Sequence, residues 1–491
     1  MRRRTWIGLA AGAAILGVIA LWLARSSPPP AETDLRSAAA TGADAVFLII
    51  VDTLRADRLS CYGYAGHATP NVDRLASLGV TFTHAQSVAS WTRPSVASIL
   101  TSLYPTQLGL VEFPTGRGRT FEWREKRQQA SHILLPNVDT MAEILQREGF
   151  FTGAFVNQPA LNHLESYQQG FREWFYPVTP DTVIQYDPEG EFRAQGWPTV
   201  KDADRGDYGL VRTFELWLSQ RVQLPKLFAW VHLLTPHVPY RPPPAFAPPE
   251  APEGTERRLI QSALYDGEVR TIDDMVGKLL DSIDRHVGLE RSVIVFTSDH
   301  GEEFHDHEMH GHGHSLHREV LNVPLIIVGP TLPSGHTIEG CVRTIDILPT
   351  ILDLAKGSTS RRGDMEGTTL AKLITGEDHG RSVYSEAMLY GSTERSLIEG
   401  DYKLMYDQQE PDCRLFNLPA DPNEHVNLAP EQSERVAAMR RNLESFHTRL
   451  TEDYRLIRRQ YFETANPTQR QQEEQRQRGL EALRALGYIG D

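Results

Sequence analysis

Cysteine is scarce: 491 residues contain three, Cys61, Cys341 and Cys413. An odd number at these spacings matches neither a disulfide framework nor a cysteine-based zinc site. Positive charge is also short, with a formal net charge of −14. An acidic surface repels a polyphosphate backbone and so argues against nucleic acid as a partner. It leaves small anionic substrates open, because a bound cation can reverse the field inside a pocket. There is no internal repeat and nothing disordered or fibrous in the composition.

What is present is 40% hydrophobic residues, enough for one large α/β domain and a smaller one. At the amino terminus Arg2, Arg3 and Arg4 precede an almost unbroken apolar run from Trp6 to Ala24. That length spans a bilayer as a helix, with the arginines on the cytoplasmic side. Residues 1–25 therefore read as a membrane anchor, with a cleaved signal peptide as the alternative. Either way the rest of the chain is expected to be extracytoplasmic, periplasmic or extracellular. Residues 26–44 are rich in Pro, Ala, Ser and Thr and read as a linker.

From Ala45 the pattern becomes regular. AVFLIIV (45–51), TGAFV (152–156), LFAWV (227–231), SVIVFT (292–297) and PLIIV (324–328) are continuous apolar runs, as expected of strands buried on both faces of a parallel sheet. Helical patterns lie between them near 70–78, 139–149 and 262–286. This alternation predicts a doubly wound α/β domain over 45–380. Two stretches, 111–131 and the proline-rich 238–252, read as long loops. Beyond 380 the short runs RSVYSEA, RSLIEGDYKLMYD and CRLFNL predict a strand meander. A charged helix near 431–460 completes a small subdomain over 381–462. Leu480, Leu483 and Leu486 give the tail, 463–491, an amphipathic helical pattern.

Chemistry-bearing residues collect just after the strands. Asp52 follows the first run, His232 follows LFAWV with His237 five residues on, and Asp299-His300 follows SVIVFTS. Open α/β sheets bind ligands beyond the carboxyl ends of their strands, so these residues are expected to converge on a divalent cation. Asp299 to His317 holds seven of the 18 histidines: 300, 305, 307, 310, 312, 314 and 317. Of these, His312 and His314 stand just before PLIIV. In SWTRPSVASILTSLYP (90–105), Pro94 suits a first helical turn. That puts Thr92 at a helix N-terminus, where free N–H groups favour anions. Taken alone, Thr92 is more simply a helix cap.

These segments together resemble the sulfatase-like proteins of the alkaline phosphatase superfamily. VDTLRADRLSCYGY (51–64) and TPNVDRLASLGVTFTHAQS (69–87) resemble the family's opening. TRPSVASILTSLYP (92–105) resembles its nucleophile motif and HLLTPHVPY its substrate-binding histidine loop. TSDHGEEF (297–304) resembles its second metal motif, and VRTIDILPTIL (342–352) and LFNLPADPNEHVNL (415–428) resemble later segments. The resemblance runs from about residue 45 to 430.

It implies an alkaline phosphatase/sulfatase-like fold, with a mostly parallel central sheet, helices on both faces and a small C-terminal α+β subdomain. It implies Asp52, Asp299, His300 and the Thr92 oxygen as metal ligands, and Thr92 as nucleophile. His237 would contact a non-bridging substrate oxygen, with His312 and Arg93 as further substrate contacts. His314 would protonate the leaving oxygen. His232 is a weaker candidate.

Sulfatases carry Cys or Ser at the nucleophile position for oxidation to formylglycine, which Thr92 cannot give. Val96 replaces the motif's arginine, and Asp52-Thr53 stands where many sulfatases show two aspartates. Threonine nucleophiles belong to phospho-specific relatives. The expected activity is thus phosphoester hydrolysis or phosphotransfer, on a small-molecule, lipid or glycan ester. The alternatives are a sulfatase working without formylglycine and an inactive binding or scaffold homologue. The metal could be Ca²⁺, Mn²⁺ or Mg²⁺ on its oxygen ligands, or Zn²⁺ on its histidines.

Overall fold

The computed structural model describes residues 43–464 apart from 111–133, 135, 162–165, 180–181, 187–191, 197–205, 356–364, 378–379, 387–388, 390–392 and 408–412. The expected anchor, almost all of the linker, the loop at 111–131 and nearly all of the tail lie outside the described residues. No described helix is long and apolar enough to cross a membrane.

The apolar runs are strands. β1 (Ala45–Val51), β3 (Phe151–Val156), β7 (Leu227–Leu233) and β8 (Ser292–Ser298) lie side by side and parallel, in the order β8-β1-β7-β3. All seven residues of β1, β7 and β8 are buried. That explains why their sequences are continuously apolar rather than alternating. β4 (Glu173–Thr179), β5 (Thr182–Tyr186) and β6 (Phe192–Gly196) extend the sheet past β3, the last two antiparallel. On the other side, β11 (Asn322–Val328) is antiparallel to both β8 and β2 (Val80–Gln86). The sheet is therefore mostly parallel, with antiparallel pairs toward both edges.

Helices cover the sheet. α1 (Pro70–Leu78) starts on its proline, whose missing N–H costs nothing there. α2 (Thr92–Thr101) is buried along its whole length except at Arg93. α3 (Met141–Arg147) is opened by a reciprocal cap: Thr140 Oγ1 accepts from the Glu143 amide and Glu143 accepts from the Thr140 amide. α4 (Asp207–Ser219) and α5 (Arg257–His286) pack together. Phe214 of α4 meets Phe47 of β1 and Phe155 of β3 edge-on, at ring distances of 5.9 and 5.4 Å. Each such buried aromatic contributes roughly 1.5–3 kcal/mol, so helix position follows from where the aromatics fall.

The meander forms a four-stranded antiparallel sheet of β14 (Val383–Glu386), β15 (Arg395–Glu399), β16 (Tyr402–Tyr406) and β17 (Arg414–Asn417). The charged helix, here α7 after α6 (Ile347–Leu354), spans Ser433–Thr464. Its Met439 packs with Leu404 and Leu415, and its Leu443 and Leu450 with Tyr104 and Tyr384. The small sheet is sewn to the large domain. Glu386 N–H bonds to Val88 O at 3.0 Å and Ser385 Oγ to Ser87 O at 2.8 Å.

A buried polar brace makes a second seam. Glu424 accepts from Lys403 Nζ at 2.7 Å and from His317 Nδ1 at 2.9 Å. Arg414 donates to His317 Nε2 at 3.0 Å, and the His317 ring stacks on His307 at 3.6 Å. His307 Nε2 in turn lies 3.5 Å from Glu319 Oε2.

The two carboxylates of this brace respond to pH in opposite senses. Burial pushes Glu319 up from 4.5 to about 7, with Arg55 only partly offsetting it. Burial also disfavours charge on Glu424, but Lys403 and His317 overcome it and hold Glu424 at about 2. Glu319 therefore costs stability as pH rises from 4.5 to about 7, where the unfolded chain has already lost the proton. Glu424 contributes stability above 4.5 that is lost as pH falls toward 2. Thermal melts across pH should show Glu319→Gln flattening the neutral-side loss and Glu424→Gln flattening the acid-side one. Wild-type and Glu319→Gln curves that run parallel would sink this account.

Candidate metal centre and active site

Strand register builds the site. Val51 is level with Leu233 of β7 and with Ser298 of β8, and Val156 of β3 is level with His232. Asp52, Asp299-His300 and Gln158 therefore emerge at one edge, with His232 in the last turn of its strand. β11 runs the other way, so its beginning, preceded by the histidine-rich segment, lies at this same edge.

Asp52, Asp299 and His300 are each 0% exposed, and a donor atom from each lies within 4.8 Å of the others. His300 Nε2 is 3.7 Å from Asp52 Oδ1 and 3.5 Å from Asp299 Oδ2. His300 Nδ1 sits 2.9 Å from Gly301 O, which can only accept. The ring proton is therefore on Nδ1, and the Nε2 lone pair faces the carboxylates. Thr92 Oγ1 lies 3.3 Å from that same Nε2.

Thr92 is not the helix cap. Trp91 holds that position, and Thr92 is the first helical residue, leaving its hydroxyl for the site. Ser95, one turn on, fastens the helix to the metal motif by donating to Asp299 O at 2.5 Å, beside Ser87 at 2.6 Å.

The electrostatics are those of two buried carboxylates facing a neutral imidazole. Burial and the neighbouring Asp52 charge push the Asp299 carboxyl well above its usual range. Burial also opposes charge on Asp52, but the surrounding histidines, His237 foremost, hold it below its usual range. Burial, aided by His312, depresses His300 to about 3, so its imidazole is neutral and able to ligate at ordinary pH. Asp52 Oδ1 and Asp299 Oδ2 have no hydrogen-bond partner among the described residues. Two buried carboxylate oxygens and an imidazole lone pair, converging without donors, fit a divalent cation.

Three further expected residues gather here. The His312 ring lies 4.5 Å from that of His300 and 5.1 Å from that of His237. His237 Nδ1 donates to Val238 O at 2.7 Å, which orients the ring. Arg93 borders the site, its Nε 3.2 Å from Ala160 O. His314 stands beside Gly311, and burial lowers its ring below the usual histidine range against the pull of Glu303. His232 is fully buried with Nε2 3.7 Å from Asp52 Oδ2.

Several participants carry no mark in the sequence reading. Glu302 accepts from His312 Nδ1 at 2.9 Å. Burial lowers the His312 pKa but Glu302 more than reverses that, raising it overall. Gln158 Nε2 donates to Asp52 Oδ2. Asp207 accepts from Asn157 Nδ2 at 2.6 Å and from the Leu234 and Thr235 amides, tying the ends of β3 and β7 together. Thr53 adopts a positive φ of 56°, a strained state for a β-branched residue. It thereby aims its N–H at Asp299 Oδ1, 3.3 Å away. Position just past a recognisable strand was the available signal for Gln158, and Glu302 lies inside TSDHGEEF.

A threonine hydroxyl at a helix start, beside an Asp-Asp-His cluster on the carboxyl edge of a mostly parallel sheet, is an arrangement that suits an ester hydrolase of the alkaline phosphatase type. The sulfatase family model matches residues 44–358, and that of the N-sulphoglucosamine sulphohydrolase C-terminal region matches 308–453. The chain belongs to the sulfatase family. The Delta 4,5-hexuronate-2-O-sulfatase of Bacteroides thetaiotaomicron is 24% identical, over 84% of this chain and 90% of that protein. The N-acetylgalactosamine-6-O-sulfatase of the same organism is 22% identical, over 82% and 93%. The solved phosphonate monoester hydrolase from Silicibacter pomeroyi shares the fold, with a TM-score of 0.65 at 20% identity over 83% and 95% of the two chains.

The paired carboxylates make a prediction. In metal-free protein Asp299→Asn should melt higher than wild type, because it removes a buried repulsion and its amide can donate to Asp52. With saturating divalent metal the order should invert, since only wild type gains binding energy. An unchanged order under both conditions would argue against a cation at this cluster.

Proposed function

We propose that this chain is a metal-dependent phosphoester hydrolase or phosphotransferase in which Thr92 is the nucleophile. The observation that carries the reading is the Thr92 hydroxyl, freed from capping and set 3.3 Å from His300 Nε2 amid the Asp52–Asp299 pair. Asp52, Asp299 and His300 would hold a divalent cation, whose charge would acidify this hydroxyl and offset the negative charge of the phosphoryl group. Thr92 Oγ1, its proton lost to solvent, attacks phosphorus as the alkoxide, and the Oγ–P bond forms as the bond to the leaving oxygen breaks. His237 donates to a non-bridging oxygen. His312 Nε2 gives its proton to the leaving oxygen. This role goes to His312 rather than His314 because His312 touches both His300 and His237 and is oriented by Glu302, as a carboxylate orients the imidazole of a catalytic triad. Water, passing a proton to His312, attacks phosphorus and breaks the P–Oγ bond, restoring Thr92.

A second reading, cleavage of sulfate esters by unmodified Thr92, is favoured by the sulfatase names of the curated relatives. Phosphate diesters, phosphate monoesters and aryl sulfates assayed side by side separate the two. Thr92→Ala should lose at least about 10³-fold in kcat, as expected for removing a nucleophile. A quenched turnover should show phosphate on Thr92 by mass spectrometry. Full activity in Thr92→Ala would refute the proposal, and turnover of sulfates alone would favour the second reading.

The same proposal sets the domain outside the cytoplasm, held by the apolar segment 6–24 behind its arginines. Protease added to intact cells, after outer-membrane permeabilisation where there is one, should digest the domain. Full protection would place it inside.

A further inference from the structure

Glu302 is fully buried, and its two carboxylate oxygens are unequally engaged. Oε1 accepts from His312 Nδ1 at 2.9 Å, while Oε2 has no hydrogen-bond partner among the described residues. A carboxylate at this depth is costly unless both oxygens are met. Tyr240 has the complementary need: it is 6% exposed, and its hydroxyl has no partner among the described residues. The two side chains face each other. Burial raises the Tyr240 phenol most, and the charge of Glu302 beside it comes next. The Tyr240 ring is seated against Phe304 at 5.4 Å and edge-on against Tyr265 at 5.8 Å. Tyr265 cannot serve Glu302 in its place, because its own hydroxyl donates to Thr53 O at 2.8 Å and accepts from the Arg55 amide at 2.9 Å. Glu302 is also anchored through its backbone, its carbonyl accepting from Arg55 Nη1 at 3.1 Å, and Arg55 is pinned by Asp57 and Asp306.

We propose that Tyr240 is a positioning residue for leaving-group protonation, its hydroxyl donating to Glu302 Oε2, and that the chain Tyr240–Glu302–His312 fits the site to esters of aliphatic alcohols. This rests on the phosphoester reading above. An ionised Glu302 can only accept, so the proton it shares with His312 sits on Nδ1, and Nε2 is the atom left to face the substrate. With one oxygen on His312 and the other on Tyr240, the carboxylate cannot rotate, and the imidazole it carries keeps one direction. As the Thr92 Oγ–P bond forms and the bond to the leaving oxygen breaks, the Nε2 proton passes to that oxygen. The value of this proton depends on the alcohol. A nitrophenolate departs readily as the anion and gains little from it. An alkoxide is a far stronger base and must be protonated as it leaves. Three buried groups committed to aiming one proton donor therefore point to a leaving oxygen from a sugar or other aliphatic alcohol, not from a phenol.

The test compares kcat/KM of the full-length protein, loaded with the divalent metal that supports its turnover, on three methyl phosphate diesters. Their second alcohol is 4-nitrophenol, phenol or benzyl alcohol. This ratio reports the steps through departure of the alcohol, whatever the later rate of clearing Thr92. Tyr240→Phe keeps the ring and loses only the hydroxyl. It should lower the benzyl value about 10-fold and leave the 4-nitrophenyl value within about twofold, with phenyl between. His312→Ala should show the same order with a larger benzyl loss, about 10²- to 10⁴-fold. Beside Glu302→Met, which removes the acceptor, Tyr240→Phe should cost nothing further, because the two act as one unit. If Glu302→Met does not fold by circular dichroism, the ester comparison in Tyr240→Phe decides alone. Equal losses on all three esters, the mark of a merely structural role, would overturn the assignment of Tyr240, as would a full Tyr240→Phe loss beside Glu302→Met. A wild type that cleaves the 4-nitrophenyl ester and not the benzyl one would overturn the substrate class. Failure of wild type to turn over any of the three would instead overturn the phosphoester reading itself.

Discussion

Two carboxylates buried side by side cannot both carry charge without a cation between them, and the architecture around Asp52 and Asp299 follows from that constraint. Parallel register of β1 and β8 delivers both to one corner of the sheet. Backbone amides of Thr53 and His300 fix one, and the side-chain amide of Gln158, just past β3, fixes the other. The helix that begins at Thr92 is bolted to the same turn through Ser87 and Ser95. The presence of these contacts marks a site organised for binding at a cost in stability, as expected where function sets the geometry.

The fold was largely legible because parallel strands covered on both faces must be apolar throughout. β1, β7 and β8 announce themselves in this way, and each ends within two residues of the run that predicts it. The direction of β11 was not legible, since burial leaves the same signature on either orientation. It matters, because a parallel β11 would begin at the opposite edge and carry His312 away from His300. β2 and β4–β6 escaped notice because threonines and polar residues interrupt their apolar pattern.

For the candidate site, the convergence of Asp52, Thr92, Asp299 and His300 could be read, because each follows a strand or opens a helix. The residues that make them work could not. Gln158 acts through a hydrogen bond across 106 positions of sequence, and Asp207 through bonds to loops 27 to 50 positions away. No local pattern encodes such pairings. His312 and His314 are indistinguishable by spacing, and only the folded hairpin of β9 (Glu303–Phe304) with β10 (His310–Gly311) shows which one meets His300 and His237.

The brace of Lys403, Glu424, His317 and His307 has a consequence for how this protein can change over evolutionary time. The small C-terminal sheet holds the far end of the loop that brings His312 to the reaction centre. It thus braces the candidate site from outside, through His317. A substitution at Lys403 or Glu424 would reach the imidazole of His312 from outside the cluster, through His317, so such changes are constrained by a site they do not touch.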